Sequence, residues 1–362
     1  LLDITPEFAE RSVGGAPFVG NLLSHYLFVT DEYRLRPNLT LNLGLRYEYV
    51  GVPTGAKQQS LNAISNVAGL LEFRSPEPTK LDFAPRIGIA WSPGRDAKTS
   101  IRAGFGLGYD QVYQNLGANS LLPQYFTTID AHVDRPNQPG FLAGGGISGA
   151  ASPITNPATA RRLTSSYIPA QVRPTSLQWH LGAHRVIAND YTVEVRYLGS
   201  RGYHLPFQLQ INRPSGITKD RSLPTFLQRP SQATLDGLSL TLADLPLGAA
   251  ASPFTAAGFT SSITSFEPRG NSSYHGLATQ VTKRFSHGLQ FIGAHTWSHN
   301  IDDSTAALNS TVLTSRRPQD FGDLRPERSS SALDRRHRLS LSWVYEFPWQ
   351  KTSTNWYLKN LA

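Results

Sequence analysis

Glycines, histidines, acidic pairs and one basic cluster are the residues whose types and spacing could do chemistry. Gly88, Gly104, Gly106 and Gly108 are what a phosphate loop would use, since backbone N–H groups approach an anion closely only where no Cβ intervenes. Spacing of two instead puts 104, 106 and 108 on one face of a strand, whereas a dinucleotide fingerprint needs a strand, a turn and then a helix. His295 and His299 would align on a helix, but they lie in an alternating stretch. There they share one face about 13 Å apart, at a rise of roughly 3.3 Å per residue, too far for adjacent ligation of one zinc ion. Asp302 and Asp303 could hold a hard cation with loop carbonyls, but no EF-hand ladder of ligands accompanies them, and a solvated turn is expected. Arg335, Arg336, His337 and Arg338 form the densest basic cluster, a possible anion site; Arg338 is instead expected on the inner face of a strand, with Glu346 as an internal counter-charge. No Ser-His-Asp arrangement or carboxylate pair can be assembled, so no catalytic residue, metal or cofactor is expected, and the chain is not read as an enzyme.

The elements that must position these residues are strands. In Leu39–Val50, LTLNLGLRYEYV, Leu39, Leu41, Leu43, Leu45, Tyr47 and Tyr49 alternate with Thr40, Asn42, Gly44, Arg46 and Glu48, which places the two sets on opposite faces. Residues 23–35 precede it as a strand, through a turn at Arg36, Pro37 and Asn38. The pattern recurs at 83–92, with Phe83, Ile87, Ile89 and Trp91 opposite Arg86, Gly88 and Ala90, and at 99–110, with Ile101, Ala103, Phe105, Leu107 and Tyr109 opposite Arg102 and the three glycines. Residues 175–184 and 191–199 repeat it, the second with Tyr191, Val193, Val195 and Tyr197 against Thr192, Glu194 and Arg196, and it persists weakly over 204–212. A hairpin, 274–285 and 289–299, turns at Gly288, which supplies the positive φ such turns need; Lys283 and His295 stand on its otherwise apolar side. Leu339, Leu341, Trp343, Tyr345 and Phe347 mark a last complete strand, and 356–362 begins another, giving nine complete strands and one started.

Composition agrees with a β-rich chain. Of 362 residues 39% are hydrophobic and 17% charged, with 25 Pro and 30 Gly, against roughly 25% charged in ordinary soluble domains. The formal charge of +8 comes from scattered arginines without a block of like charges, so nucleic acid is not expected as a partner. Absence of cysteine removes disulfides and Cys-metal sites. The most apolar stretch, 237–259, is broken by Asp244, Pro246 and Pro253, so no helix can span a bilayer. Residues 1–10 lack the basic start of a signal peptide and the chain has no Met. It is therefore expected to be an internal part of a longer protein, with any leader upstream.

Short links near 36, 93, 185, 286 and 349 alternate with long Pro-, Gly- and Ser-containing segments. One end of the sheet is trimmed and the other elaborated. With strands near the 9–11 residues that cross a bilayer when tilted, this is the pattern of an outer-membrane barrel with short periplasmic turns and long extracellular loops. Tyr47, Tyr49, Tyr109, Tyr197 and Trp297 then lie beside the long loops, and Trp91, Tyr345 and Phe347 beside the short turns, as two interfacial girdles. Leu41, Leu43, Leu45, Ile89, Phe105, Leu107, Val193, Val195, Leu339 and Leu341 are expected to face lipid. Arg46, Glu48, Arg86, Arg102, Gly104, Gly106, Gly108, Glu194, Arg196, Arg338 and Glu346 are expected to face the lumen, the glycines admitting close backbone approach.

The stretches FVTDEYRLRPNLTLNLGLRYE, FAPRIGIAWSP with TSIRAGFGLGYD, TSLQWHLGAHR with YTVEVRYLGSRGYHL, GNSSYHGLATQVTKRFSHGLQFIGAHTWSHNIDD and LDRRHRLSLSWVYEFPW, in this order, resemble the Oar-like TonB-dependent outer-membrane receptors of acidobacterial type. The resemblance implies a 22-stranded barrel filled by an N-terminal plug, energised through a TonB box, and often preceded by a carboxypeptidase-regulatory-like β-sandwich. None of those N-terminal parts is in this sequence. It also implies, as partners, outer-membrane lipid, the TonB complex through that missing part, and an extracellular ligand of unknown identity.

The expected fold is thus all-β: an antiparallel transmembrane β-barrel segment of about 9–12 strands, with residues 1–22 as a lead-in and 23–362 as partial barrel. Open edges are forbidden in lipid, so the chain is not expected to close or transport alone. Uptake of a bulky ligand, an oligosaccharide or a chelate, in the bacterial outer membrane is the leading function. A structural or adhesive surface protein and a soluble carbohydrate-binding module are the alternatives.

Overall fold

The computed structural model describes residues 10–13, 19–111, 127–130, 139–146, 154–170, 172–188, 190–213, 229–238, 252–305, 317–318, 320–346 and 354–357. Strands β2 (Ser24–Arg36), β3 (Leu39–Val50), β4 (Asp82–Trp91) and β5 (Thr99–Tyr109) are followed, after long connections, by β8 (Thr175–Ala188), β9 (Tyr191–Gln210), β10 (Thr264–Ser286), β11 (Leu289–Asp302) and β13 (His337–Tyr345). Each pairs antiparallel with its neighbour in this list. Two-residue pieces, β7 (Ser166–Tyr167) on β10 and β12 (Ser329–Ser330) on β11, complete an open sheet of 11 strands. A separate two-stranded ribbon joins β1 (Glu10–Val13) to β6 (Thr127–Asp130), so the lead-in pairs with the second long connection.

Register makes the sheet barrel-like. One outward row runs Leu41, Ile89, Ala103, Leu181, Tyr197, Leu277, Trp297. Leu41 is two residues into its strand, Ala103 four, Tyr197 six and Trp297 eight. The row climbs one residue per strand away from the short turns. With a rise of roughly 3.3 Å and strands about 4.8 Å apart, that stagger corresponds to a tilt of about 35°, within the range of closed barrels.

Several strands outrun their sequence pattern. β8 continues through 185–188, where a turn was expected, and the alternation at 191–199 and 204–212 belongs to one 20-residue strand. β10 has 23 residues and starts ten before Tyr274; register shifts around Pro268 and Gly270 break its period, as bulges do. At the other end Trp356 and Tyr357 are helical, not the start of a strand.

The long connections carry the packed core. Asn156 caps α2 (Pro157–Leu163), its side chain accepting from the N–H groups of Ala158 and Thr159, with Pro157 in the first turn where its missing N–H costs nothing. Before it come α1 (Thr54–Lys57) and a 3-10 turn, Gln58–Ser65. After it come α3 (Gln232–Asp236) and α4 (Pro253–Ala256). Leu71, Phe73, Phe259 and Ile263 form one cluster with Tyr167 and Phe254 against it, and Val52, Ala56 and Ile168 form another. Every buried apolar side chain among the described residues lies in these connections or at the strand ends that enter them, such as Phe207 and Phe266.

Candidate functional site

The inner face of the sheet bounds a trough of about 1210 Å³. Its floor is what the even positions supply: Asn42, Arg86, Gly88, Arg102, Gly104, Gly106, Gly108, Gln178 and His180. Cross-strand pairs bring these together, Gly104 opposite Gly88 and His180, Gly106 opposite Arg86 and Gln178. Small and polar groups leave room and hydrogen-bonding capacity, as a polar passage requires. Gly104 departs from expectation in one respect. A Cβ there would lie 2.5 Å from the His180 ring, so a neighbouring side chain has taken the space expected to admit another backbone, whereas at Gly108 nothing lies within 4 Å.

Charges on this face divide into paired and unpaired. Glu194 and Arg196 form a salt bridge at 3.1 Å along one strand. Arg46 reaches Glu48 at 3.1 Å and stacks over Tyr26. Arg86 and Arg102 make no salt bridge among the described residues and leave positive charge in the trough. Arg338 and Glu346 do not serve as each other's counter-charge. They stand eight positions apart at opposite ends of β13, roughly 26 Å at 3.3 Å per residue.

At the long-loop rim sits an ion cluster that the sequence did not reveal. Arg173 donates to Glu48 at 2.8 Å and to Asp82 at 3.1 Å, all three buried. It also donates to the carbonyl of Asp110 at 3.2 Å and lies over the Tyr109 ring. One guanidinium thereby ties the ends of β3, β4 and β5 to the segment that enters β8. Planar bidentate donors suit Arg to such a junction. Arg173 and Asp82 fall at the edges of unpatterned segments, and only their charge could have marked them. Deeper in the connections, burial pushes the Tyr167 phenol above its ordinary range, and the Arg74 guanidinium pulls Glu72 below that of a carboxylate.

Asp302 and Asp303 are not a solvated turn. Asp302 is buried, and Asp303 accepts from the backbone and side-chain N–H groups of Asn271 at 2.9 and 3.0 Å and pairs with Arg328 at 3.5 Å. Protein donors occupy the oxygens a cation would have needed. In the basic cluster, Arg336 bonds Asp334 at 2.7 Å and His299 Nε2 at 2.8 Å. Among the described residues no group of three or more His, Asp or Glu is arranged around a metal position.

Tyr26, Phe28 and Tyr274 share the inner face, and the outward face carries most of the other strand aromatics. Tyr47 donates to the carbonyl of Lys80 at 2.9 Å and packs on Phe83; Tyr49 stacks on His25. Tyr109 donates to the Phe83 carbonyl at 3.1 Å, and Tyr197 bonds His275 Nδ1 at 2.7 Å. Trp91, Trp297 and Tyr345 are exposed, and Phe347 lies outside the described residues. The outward set is interrupted by Asp31 opposite Leu43 and by Lys283 and His295. Lys283 runs its stem down to the turn, where Nζ donates to Ser286 O at 2.8 Å and Leu289 O at 2.9 Å and meets Asp190 at 3.5 Å. An amphipathic side chain thus keeps its charge out of the apolar band.

An open, tilted antiparallel sheet with an apolar outer face and a polar, glycine-lined inner face defines a barrel wall. A family profile described as outer membrane beta barrel domain matches residues 6–362, and the chain belongs to that family. It resides in the bacterial outer membrane. Similar solved structures include the outer membrane transporter YddB of Escherichia coli (10% identity, TM-score 0.48, covering 89% of this chain and 31% of that one). Another is the siderophore receptor PirA of Pseudomonas aeruginosa (11%, 0.38, 78% and 36%). A third is the FrpB iron transporter, F5-1 variant, of Neisseria meningitidis (10%, 0.43, 90% and 31%). The chain spans about a third of the length of these structures. No curated protein matches the sequence.

Proposed function

We propose that the chain forms part of the wall of an Oar-like TonB-dependent outer-membrane receptor that takes up a bulky ligand, an oligosaccharide or a chelate. The trough carries this reading: its polar floor of Arg86, Arg102, Gln178 and His180 backs onto an apolar outer face. A soluble sandwich would bury its apolar face against a second sheet; here the sheet has no such partner among the described residues. In this reading residues 1–22 lead into a barrel wall of residues 23–362. The named arginines, glutamates and glycines face its lumen, the tyrosines and tryptophans form its two girdles, and the long connections are extracellular. A plug and the contact with the TonB complex come from parts of the protein outside this chain.

Deletion of the gene tests the function, with uptake of labelled oligosaccharides and ferric chelates measured before and after collapse of the proton gradient. Loss of energy-dependent uptake of one class is expected. Unchanged uptake of all, with loss of cell attachment, would favour an adhesive surface protein. Topology has its own test: an epitope inserted at Gly145 should be reached by antibody on intact cells and one at Gly288 should not, and the reverse result would invert the orientation.

A further inference from the structure

We propose that His295 and His337 form a two-histidine site for a transition-metal ion of the Zn²⁺, Ni²⁺ or Cu²⁺ class, on the outward face of the sheet near its long-loop end. In the β11–β13 pair His295 stands opposite Leu339 and His337 opposite Trp297. The two histidines are therefore diagonal neighbours on one face, within reach of each other's rings. Their rings lie nearly parallel, 14° apart in plane and 5.5 Å between centroids, and His295 Nε2 is 3.2 Å from His337 Nδ1. Two nitrogens bound to one tetrahedral ion at about 2.0–2.1 Å are separated by roughly 3.3–3.4 Å. The pair stands at chelating separation on two hydrogen-bonded strands; its nitrogens meet head-on, as in a hydrogen bond, and a turn of each ring by about 35° aims both lone pairs at one tetrahedral ion.

Imidazole nitrogens select ions of this class over Mg²⁺ or Ca²⁺, which prefer oxygen. Nearby histidines are otherwise engaged: His299 Nε2 is held by Arg336 at 2.8 Å and Ser330 Oγ at 3.0 Å, and His275 Nδ1 by the Tyr197 hydroxyl at 2.7 Å. Among the described residues two protein ligands meet the ion. Water or an external donor completes its shell, which makes the site exchangeable, and the bound ion staples β13 to β11.

The test uses the whole protein, purified without a polyhistidine tag in detergent micelles, with Zn²⁺, Ni²⁺ or Cu²⁺ salts as the only probes. Calorimetric titration should give one site, and affinity should fall at least tenfold in H295A and in H337A but not in H299A. Retention of the heat-dependent shift in gel mobility certifies folding, and H295Q and H337Q replace any alanine variant that loses it. Pulsed electron paramagnetic resonance of the Cu²⁺ form should show two coordinated imidazoles, falling to one in either variant. Equal affinity in wild type and both variants, or one imidazole in wild type, would overturn the site and leave the contact as a hydrogen bond between rings.

Discussion

Leu43 and Phe207 are both large apolar side chains on strands of one sheet, yet Leu43 is 42% exposed and Phe207 1%. Leu43 belongs to the band between short turns and rim, Phe207 to the end of β9 that enters the long connections. In the proposed reading the band's apolar groups point out to lipid while its backbone is satisfied by pairing, so order there comes from register. Beyond the rim there is no lipid. The same chain must there bury its side chains against each other and cap its helices, as any water-soluble domain does. Phe73, Phe259 and Ile263 do this, and the Arg173 cluster joins the two regions.

The largest effects should fall on that junction and on the packed connections. Arg173→Ala leaves buried Asp82 without a counter-charge and Glu48 with Arg46 alone, at a cost of about 3–5 kcal/mol. Phe259→Ala opens a cavity among Leu71, Phe73 and Ile263, with a loss of about 3–5 kcal/mol. Both should appear as new protease cleavage within residues 51–81 while the heat-dependent gel mobility of the barrel persists. Simultaneous loss of the barrel would mean that the two regions unfold as one.

Next comes the band. Leu43→Arg should destabilise the protein in lipid vesicles by about 2–4 kcal/mol near the bilayer midplane, whereas Asn42→Arg, on the inner face, should cost far less. Urea titration of the two variants decides the facing, and equal losses would remove the distinction between outer and inner side. Cysteines placed at 42 and 43 give a second reading, since only position 42 should react with a water-soluble reagent.

How much was legible follows the same division. Strand β3 is read with its observed bounds, and β4 and β5 to within one residue, because a face in lipid demands strict alternation. The nine long strands come from that one constraint. Beyond the rim alternation has no such cause. The front of β10, bulged at Pro268 and Gly270, therefore looks like loop. Arg173 with Asp82, 91 residues apart, and His295 with His337, 42 apart, meet only because strands pair across long connections. No local spacing encodes such a meeting.

At the short-turn end Lys283 sharpens the comparison from the other side, being a charge that begins on the band's outer face and ends in the turn. Lys283→Met keeps the apolar stem but removes the donors to Ser286 and Leu289. Leaving those carbonyls and Asp190 without it should cost about 1–3 kcal/mol, read as a lower urea midpoint. A midpoint equal to that of wild type would mean that water replaces the ammonium and that the turn holds itself.

The smallest effect is a pH dependence confined to the segment above the rim. Asp334 accepts the backbone N–H of Asn300 at 2.7 Å and, with Arg336 beside it, is held below the ordinary aspartate range. A carboxyl whose pKa is lower folded than unfolded contributes stability above its unfolded value and loses that contribution as pH falls through the folded one. Wild type should therefore exceed Asp334→Asn in stability at pH 7, and the gap should close as the solution is taken down through the carboxylate range. Salt should shrink only the part owed to the exposed Arg336. Paired urea titrations from pH 7 to pH 3 measure it; a gap that stays constant with pH would assign the contribution to shape alone and remove ionised Asp334 from what holds β11 to the loop before β13.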